Sequence, residues 1–256
     1  MTPRYPVRMQ PSPQPRVRAI TLDLDDTLWP IVPAIVRAER TLDAFLARHA
    51  PSTAARWGQK KRTALRMRVA DEHPHLAHDF TAQRRITLAR MFESAGEAPA
   101  RIDALVDDAF EAYFAARCDV VHYDDTLDAL ARLSARVPLA AVSNGNACLR
   151  RTGVEGYFAF GLSAREFGAA KPEAGIFHAA CARLGLPPNA VLHVGDDIDA
   201  DVLGARAAGL RACWLRRHDH AVRRWPHAHA TPDLTVPTLA ALADWLDAHQ
   251  PATAAA

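Results

Sequence analysis

The chain has 256 residues, of which 49% are hydrophobic and 23% charged, and its formal net charge is +2. That composition belongs to a globular protein rather than a fibrous or disordered one, and the near-balanced charge gives no electrostatic case for nucleic acid or an anionic membrane as a partner. Apolar runs such as Val137–Val142 fall far short of the roughly 20 residues a membrane-crossing helix needs.

The first 18 residues are rich in proline and arginine and lack the apolar stretch of roughly 7–15 residues that marks a secretory signal. Cys118, Cys148, Cys181 and Cys213 are widely spread with no CxxC pair. This argues against a disulfide framework or a cysteine zinc site and predicts a cytoplasmic protein. Residues 1–16 and 251–256 are expected to be flexible tails.

Val17–Leu24 is short, β-branched and acidic at its end, the pattern of a strand running into a functional loop. From Val32 to about Ala116, alanine, leucine and arginine dominate with no strand-like run, and breaks at Pro51, at Pro74 and around Gly96–Pro99 predict about four helices. Beyond that the pattern alternates. Strands are predicted at Leu139–Ser143, Gly161–Ser163, Val191–Val194 and Ala212–Leu215, and helices at Asp125–Ala135, Ala174–Leu184 and Ile198–Ala208. Such alternation predicts an α/β fold with a Rossmann-like parallel sheet covered on both faces.

Ligands of these sheets sit beyond the carboxyl ends of the strands. Those ends carry Asp23-Leu24-Asp25-Asp26-Thr27, Ser143-Asn144-Gly145, Lys171-Pro172 and Gly195-Asp196-Asp197, with Asp201 behind. A period of two puts Asp23 and Asp25 on one face and turns Leu24 to the core. Two carboxylates so close need a cation or a proton between them, and a third from Asp196 makes a hard-oxygen site suited to Mg²⁺. Ser143 offers a hydroxyl and the turn after it backbone N–H groups, which is what a bound phosphoryl group requires. Lys171 stands out because the only other lysines are Lys60 and Lys61. A compact ammonium fits between an aspartate and phosphoryl oxygens where a planar guanidinium does not.

In order and spacing these four segments resemble the haloacid dehalogenase superfamily of phosphohydrolases, over Val17 to about Leu215. The resemblance implies that Asp23 is a nucleophile forming an aspartyl-phosphate and that Asp25 is the general acid, then the base. It further implies that Ser143 and the Asn144 N–H bind the transferring oxygens while Lys171 neutralises their charge. Mg²⁺ would lie on Asp23, Asp196 and the Asp25 carbonyl, with Asp201 on the metal or its bound water. Asp197 is either a metal ligand or a solvated loop residue. An aspartate at position 25 sets the chain apart from the family's dehalogenases, whose halide leaves without a proton. The organisation implied is a catalytic core from 17–30 and 118–250, with 31–117 inserted after the first strand as a helical-bundle cap that largely selects the substrate.

Leu22–Leu28, Ser143–Asn146, Glu155–Phe158, Leu192–Asp197 and Ala212–Arg216, with His78–Thr81 and Arg84 in the cap, are similar to a bacterial subgroup within that family. It includes a phosphatase of 5-amino-6-(5-phospho-D-ribitylamino)uracil, a riboflavin-pathway intermediate, and is associated with FMN as a substrate. Sugar phosphates or nucleotides are the alternative substrates, and the core would equally suit a phosphomutase or a non-catalytic phospho-ligand-binding protein.

Trp29 can stack on a heterocycle or serve as a core aromatic, and Arg84 can hold an oxygen-rich substrate or lie on a solvated helix face. Phe110, Tyr113 and Phe114, at helical spacing, read as bundle core. His73, His75 and His78, and His218, His220, His227 and His229, show no zinc-motif spacing. Arg216, Arg217, Arg223 and Arg224 form a basic patch. The partner expected is a small-molecule phosphate ester, with no nucleic acid or membrane, for a monomer or homodimer.

Overall fold

The computed structural model describes residues 16–217, 225–226 and 230–249. Residues 1–15 and 251–256, His218, His220, His227, His229, Arg223 and Arg224 lie outside the described residues.

Among the described residues the elements begin with β1 (Ala19–Leu22) and run through α1 (Ile31–His49), α2 (Pro51–Arg56), α3 (Gln59–Glu72), α4 (Phe80–Ser94) and α5 (Pro99–Cys118). They continue with α6 (Thr126–Ser134), β2 (Leu139–Ser143), β3 (Phe160–Ser163), α7 (Ala164–Phe167), α8 (Ala174–Leu184) and β4 (Val191–Gly195). A π-helical turn (Ile198–Leu203), α9 (Gly204–Ala207), β5 (Arg211–Leu215), β6 (Leu234–Val236) and α10 (Leu239–His249) complete the series.

Among the described residues six strands form one parallel sheet in the order β3-β2-β1-β4-β5-β6. Strand alternation divides the core in two. Ile20, Leu22, Leu192 and Val194 turn to one face and pack with Leu130 and Leu133 of α6 and Leu242 and Leu246 of α10. Ala19, Val191, Ala212 and Trp214 turn to the other, against Ile176 and Phe177 of α8 and Val202 and Ala205. Helices α1–α5 enclose a third cluster of their own, including Leu42, Leu46, Leu88, Phe92 and Tyr113.

Residues 31–118 hold five helices rather than about four, because the chain breaks at Trp57 and Gly58, between α2 and α3. β6 and α10 are additions to the expected elements; β6 is a three-residue edge strand with no alternating run to announce it. The expected helix at 198–208 is divided. Asp197 accepts hydrogen bonds from the Asp199 and Ala200 N–H groups, and the Val202 N–H reaches back five residues to the Asp197 carbonyl. This winds the first turn wide.

β1 is central, with β2 on one side and β4 on the other. The connection reverses direction there, so the crevice beyond the carboxyl end of β1 is the topological switch point where α/β sheets bind ligands.

Candidate active site

Asp23 follows β1 directly, and its N–H is held by the Val194 carbonyl of β4 at 2.9 Å. Lys171, whose side chain is buried, reaches the same point and donates to Asp23 Oδ1 and Asp201 Oδ1, each at 2.6 Å, and to the Val142 carbonyl at 2.7 Å. Three acceptors thus take the three protons of one ammonium. Asp201 Oδ1 also meets His193 Nε2 at 3.1 Å, and Oδ2 accepts the Asp197 N–H at 3.1 Å. His193 is buried with Nδ1 2.8 Å from the Thr21 hydroxyl. Burial holds its basicity down despite Asp201, so a neutral ring with Nε2–H donating to the carboxylate fits these contacts. Gly195 makes room for the arrangement, since a Cβ there would lie 2.1 Å from Asp201 Oδ2.

Asp23, Asp196 and Asp201 offer carboxylate oxygens within 4.8 Å of one another. Burial raises the Asp23 carboxyl to about 7, with Lys171 opposing the shift and Asp201 and Asp25 adding to it. Burial, followed by repulsion from Asp23 and Asp201, raises Asp196 to about 8. Asp201 moves the other way, because Lys171 and His193 together outweigh its burial. Among the described residues three acidic groups share one ammonium, so Asp23 and Asp196 can both ionise only if a cation takes the place of their protons. Hard carboxylate donors with that deficit fit a small divalent cation such as Mg²⁺.

Asn144 does not point its side chain into the crevice. Its Oδ1 accepts the Lys171 N–H at 2.7 Å and its Nδ2 donates to the Lys171 carbonyl at 3.0 Å, tying the loop after β2 to the one that carries the lysine. Ser143 is buried at the end of β2, its Oγ accepting the Gly145 N–H at 3.0 Å. Thr27 donates to Asp196 Oδ1 at 3.2 Å. Asp197 caps the π-helical turn, its Oδ1 accepting the Asp199 and Ala200 N–H groups.

Asp25 stands apart from this cluster. Its Oδ1 accepts from Trp29 Nε1 at 2.9 Å, and Arg117 Nη2 donates to Oδ1 at 2.7 Å and Oδ2 at 2.5 Å. Trp29 is therefore no stacking platform. It is 0% exposed, edge-on to His122 with ring centroids 5.6 Å apart, and spends its N–H on Asp25.

Arg84 is not on a solvated helix face but buried, donating to Glu39 Oε1 and the Tyr113 hydroxyl, each at 2.8 Å. It nevertheless lines a cavity of about 350 Å³ that runs from Asp25 into the helices, with Ile35, Phe80, Gln83 and Arg66. Tyr113 is core as expected and Phe110 packs against the same cluster, while Phe110 and Phe114 also stack at 5.6 Å between centroids and line a second cavity of about 620 Å³ beside Ser143.

Of the basic patch, Arg217 is not a surface charge. It is buried, donates twice to the Thr27 carbonyl and once to Asp125, and lies 3.8 Å over the Tyr123 ring. Arg117, Arg217, His193 and Thr27 complete the surroundings of the site. Thr27 and His193 lie within motif segments and Arg217 within the basic patch, but nothing in the sequence assigned them these contacts, and Arg117 carried no signal at all.

Comparison with known proteins adds the family. The family described as haloacid dehalogenase-like hydrolase matches residues 17–209. The chain is 32% identical over 230 residues, 90% of its own length and 96% of the relative's, to the 5-amino-6-(5-phospho-D-ribitylamino)uracil phosphatase YigB of Escherichia coli (strain K12). It is 40% identical over 102 residues to the pyrimidine 5'-nucleotidase YjjG of the same organism, which covers 40% of this chain and 44% of that one. Among solved structures, a 2-haloacid dehalogenase from Pseudomonas syringae pv. Tomato DC3000 superposes with a TM-score of 0.84 at 34% identity, covering 91% of this chain and 99% of that one.

Proposed function

The chain belongs to the haloacid dehalogenase-like hydrolases and is a phosphatase of that family, and from this premise we propose that it removes phosphate from 5-amino-6-(5-phospho-D-ribitylamino)uracil in the cytoplasm, with Mg²⁺ as cofactor and FMN as a second ester. The observation that carries the substrate is the reach of the similarity to YigB, which runs through 90% of this chain and so includes the helices around the cavity. The cavity mixes apolar lining from Ile35 and Phe80 with polar groups from Arg66, Gln83 and Arg84, which supports a leaving group with both ring surface and polar atoms.

The chemistry follows from the residues. An oxygen of Asp23 attacks phosphorus, forming the aspartyl O–P bond as the ester P–O bond breaks. Asp25 gives its proton to the departing oxygen, then takes one from the water that attacks the aspartyl-phosphate, and inorganic phosphate leaves. Lys171 stabilises negative charge on the transferring oxygens while holding Asp23 in place, and Ser143 and the loop N–H groups receive those oxygens. Asp23, Asp196 and Asp201 would hold Mg²⁺, which supplies further charge neutralisation at the phosphoryl group. Helices α1–α5 act as the cap, excluding water from the crevice.

Two other readings rest on one observation each. Similarity to YjjG favours a pyrimidine nucleotide, over 40% of the chain. Likeness to a 2-haloacid dehalogenase favours a haloacid, against which stands Asp25, a carboxylate that halide release does not require.

The test is Mg²⁺-dependent product release from the ribitylaminouracil phosphate, FMN, pyrimidine nucleotides, sugar phosphates and 2-chloropropionate, with Asp23→Asn as the control. A kcat/KM at least about tenfold above the others, worth about 1.4 kcal/mol in the transition state, is expected for the ribitylaminouracil ester. Equal rates on all the esters would remove the substrate assignment.

A further inference from the structure

We propose that Arg117 is the positioning residue for the acid–base carboxylate, so that the last turn of the cap sets where Asp25 points. The proposal rests on the reading of Asp25 as proton donor and acceptor.

Asp25 and Arg117 are 92 residues apart and belong to different parts of the fold: Asp25 follows β1 in the sheet, and Arg117 is the penultimate residue of α5. One guanidinium nitrogen, Nη2, bridges both carboxylate oxygens, at 2.7 and 2.5 Å. Trp29 Nε1 fixes Oδ1 from a second direction at 2.9 Å. Gly145 closes the third side, where a Cβ would stand 2.5 Å from Oδ2 and 3.6 Å from Arg117 Nη2. The carboxylate is thereby held at the edge of the 350 Å³ cavity, where the oxygen of a leaving group seated there would meet it.

Stability alone does not account for this arginine. It is 3% exposed, and its second terminal nitrogen, Nη1, is buried with no hydrogen-bond partner. Removing a guanidinium from water costs several kcal/mol, and an apolar side chain of similar volume in a buried pair's place is often neutral or stabilising. A buried arginine left partly unsatisfied, with its other nitrogen on a reacting group, is the expected trace of a demand on geometry. Proton transfer needs a heavy-atom separation of about 2.6–3.2 Å, and an error of about 1 Å can cost about 10²-fold. Because Arg117 rides on α5, this alignment exists only while the cap helices are seated against the sheet.

The experiment is a double-mutant cycle of Arg117→Met with Asp25→Asn, and Arg117→Lys as a charge-retaining variant, all in the full chain. kcat/KM is measured on 4-nitrophenyl phosphate, whose leaving oxygen needs little proton help, and on the best alkyl phosphate ester. Unfolding midpoints accompany the kinetics. For Arg117→Met we expect a loss of about 10²-fold on the alkyl ester, less than about threefold on the nitrophenyl ester, and less than about twofold further loss in the Asp25→Asn background. Arg117→Lys, with one compact donor in the same place, should recover about tenfold on the alkyl ester. Equal losses on the two esters, or losses that simply multiply with those of Asp25→Asn, would overturn the proposal. So would unchanged rates in both Arg117 variants. Should Arg117→Met fail to fold, Arg117→Lys carries the same two-ester comparison. If instead Asp25→Asn keeps full activity on the alkyl ester, the acid–base reading itself fails, a result distinct from any failure of Arg117.

Discussion

Lys171 Nζ stands 2.6 Å from Asp23 Oδ1 and, in the same geometry, 2.6 Å from Asp201 Oδ1. The lysine is thus shared between the carboxylate directly after β1 and the more deeply buried one of the π-helical turn. A guanidinium in its place has a planar fork that cannot converge on two carboxylates and the Val142 carbonyl at once. Lys171→Arg is expected to lose turnover by at least about 10²-fold although the charge is kept, measured as phosphate release. Lys171→Met should add a stability loss of about 3–5 kcal/mol, because Asp201 is left buried without its cation. Denaturant unfolding reads that term separately from activity. A Lys171→Arg protein with wild-type rates would mean that charge alone matters here.

Metal binding should be legible without turnover. Asp23 and Asp196, raised to about 7 and about 8, hold protons in the metal-free folded state that an unfolded chain releases near pH 4. Between those limits the folded state binds more protons than the unfolded one, so metal-free stability falls as pH rises from about 4 to about 8. Mg²⁺ takes the place of the protons, so its affinity rises over the same interval. The expected result is a Tm increase on adding Mg²⁺ that is larger at pH 8.5 than at pH 6, is reversed by chelation and is lost in Asp196→Asn. A Mg²⁺ effect of equal size in Asp196→Asn would remove that residue from the ligand set.

The elements around the site could be read because Asp23, Ser143 and Asp196 stand at or directly after strand ends, whereas Lys171 comes after α7 and Asp201 lies in the π-helical turn. A parallel sheet gathers its strand ends at one edge, so Asp23, Ser143 and Asp196 converge whatever the separation in sequence. Lys171 was legible because lysine is rare in this chain. Arg117 and Arg217 were not, for the opposite reason: an arginine-rich chain gives no local sign of which guanidinium is buried. Their partners lie 92 residues away in each case, Asp25 for one and Asp125 for the other. Trp29 shows a further limit, since an aromatic residue beside a motif looks the same in sequence whether its face meets a ligand or its N–H meets a carboxylate. The expectation for Asn144 concerned its backbone N–H, and its side chain adds a loop-to-loop tie that no local pattern announces, because it depends on two backbone groups of a distant segment.

Gly145→Ala separates fold from catalysis. The added methyl would lie 2.5 Å from Asp25 Oδ2 and 3.4 Å from Ser143 Oγ. Gly145 has no positive φ, so alanine brings no backbone strain, and the clash falls on a side chain able to rotate. Asp25 must then leave the donors of Trp29 and Arg117. The expected outcome is a Tm within a few degrees of wild type and a kcat/KM about 10–10²-fold lower on an alkyl phosphate. A protein with intact kinetics would show that the Asp25 carboxylate works from another position.

Arg217 gives the sharpest stability prediction, because it joins the first motif to the start of α6. Its Nε and Nη2 donate to the Thr27 carbonyl at 3.1 and 2.8 Å, and its Nη1 to Asp125 Oδ1 at 2.9 Å. Burial alone would raise the Asp125 carboxyl, but the Arg217 guanidinium and the Ala240 N–H hold it below the usual carboxylate range. A carboxyl with a folded-state pKa below its unfolded value contributes stability above about pH 4 and loses it as pH falls through the folded value. Arg217→Met should therefore cost about 3–5 kcal/mol at pH 7, where Asp125 stays charged and unpaired. At pH 4 the variant can protonate Asp125, so the deficit should shrink. Arg217→Lys restores the charge without the fork or the stacking on Tyr123, and should recover less than half. Urea midpoints at the two pH values decide the matter. A deficit that is the same at pH 4 and pH 7 would assign the loss to the Thr27 carbonyl and the Tyr123 ring rather than to Asp125.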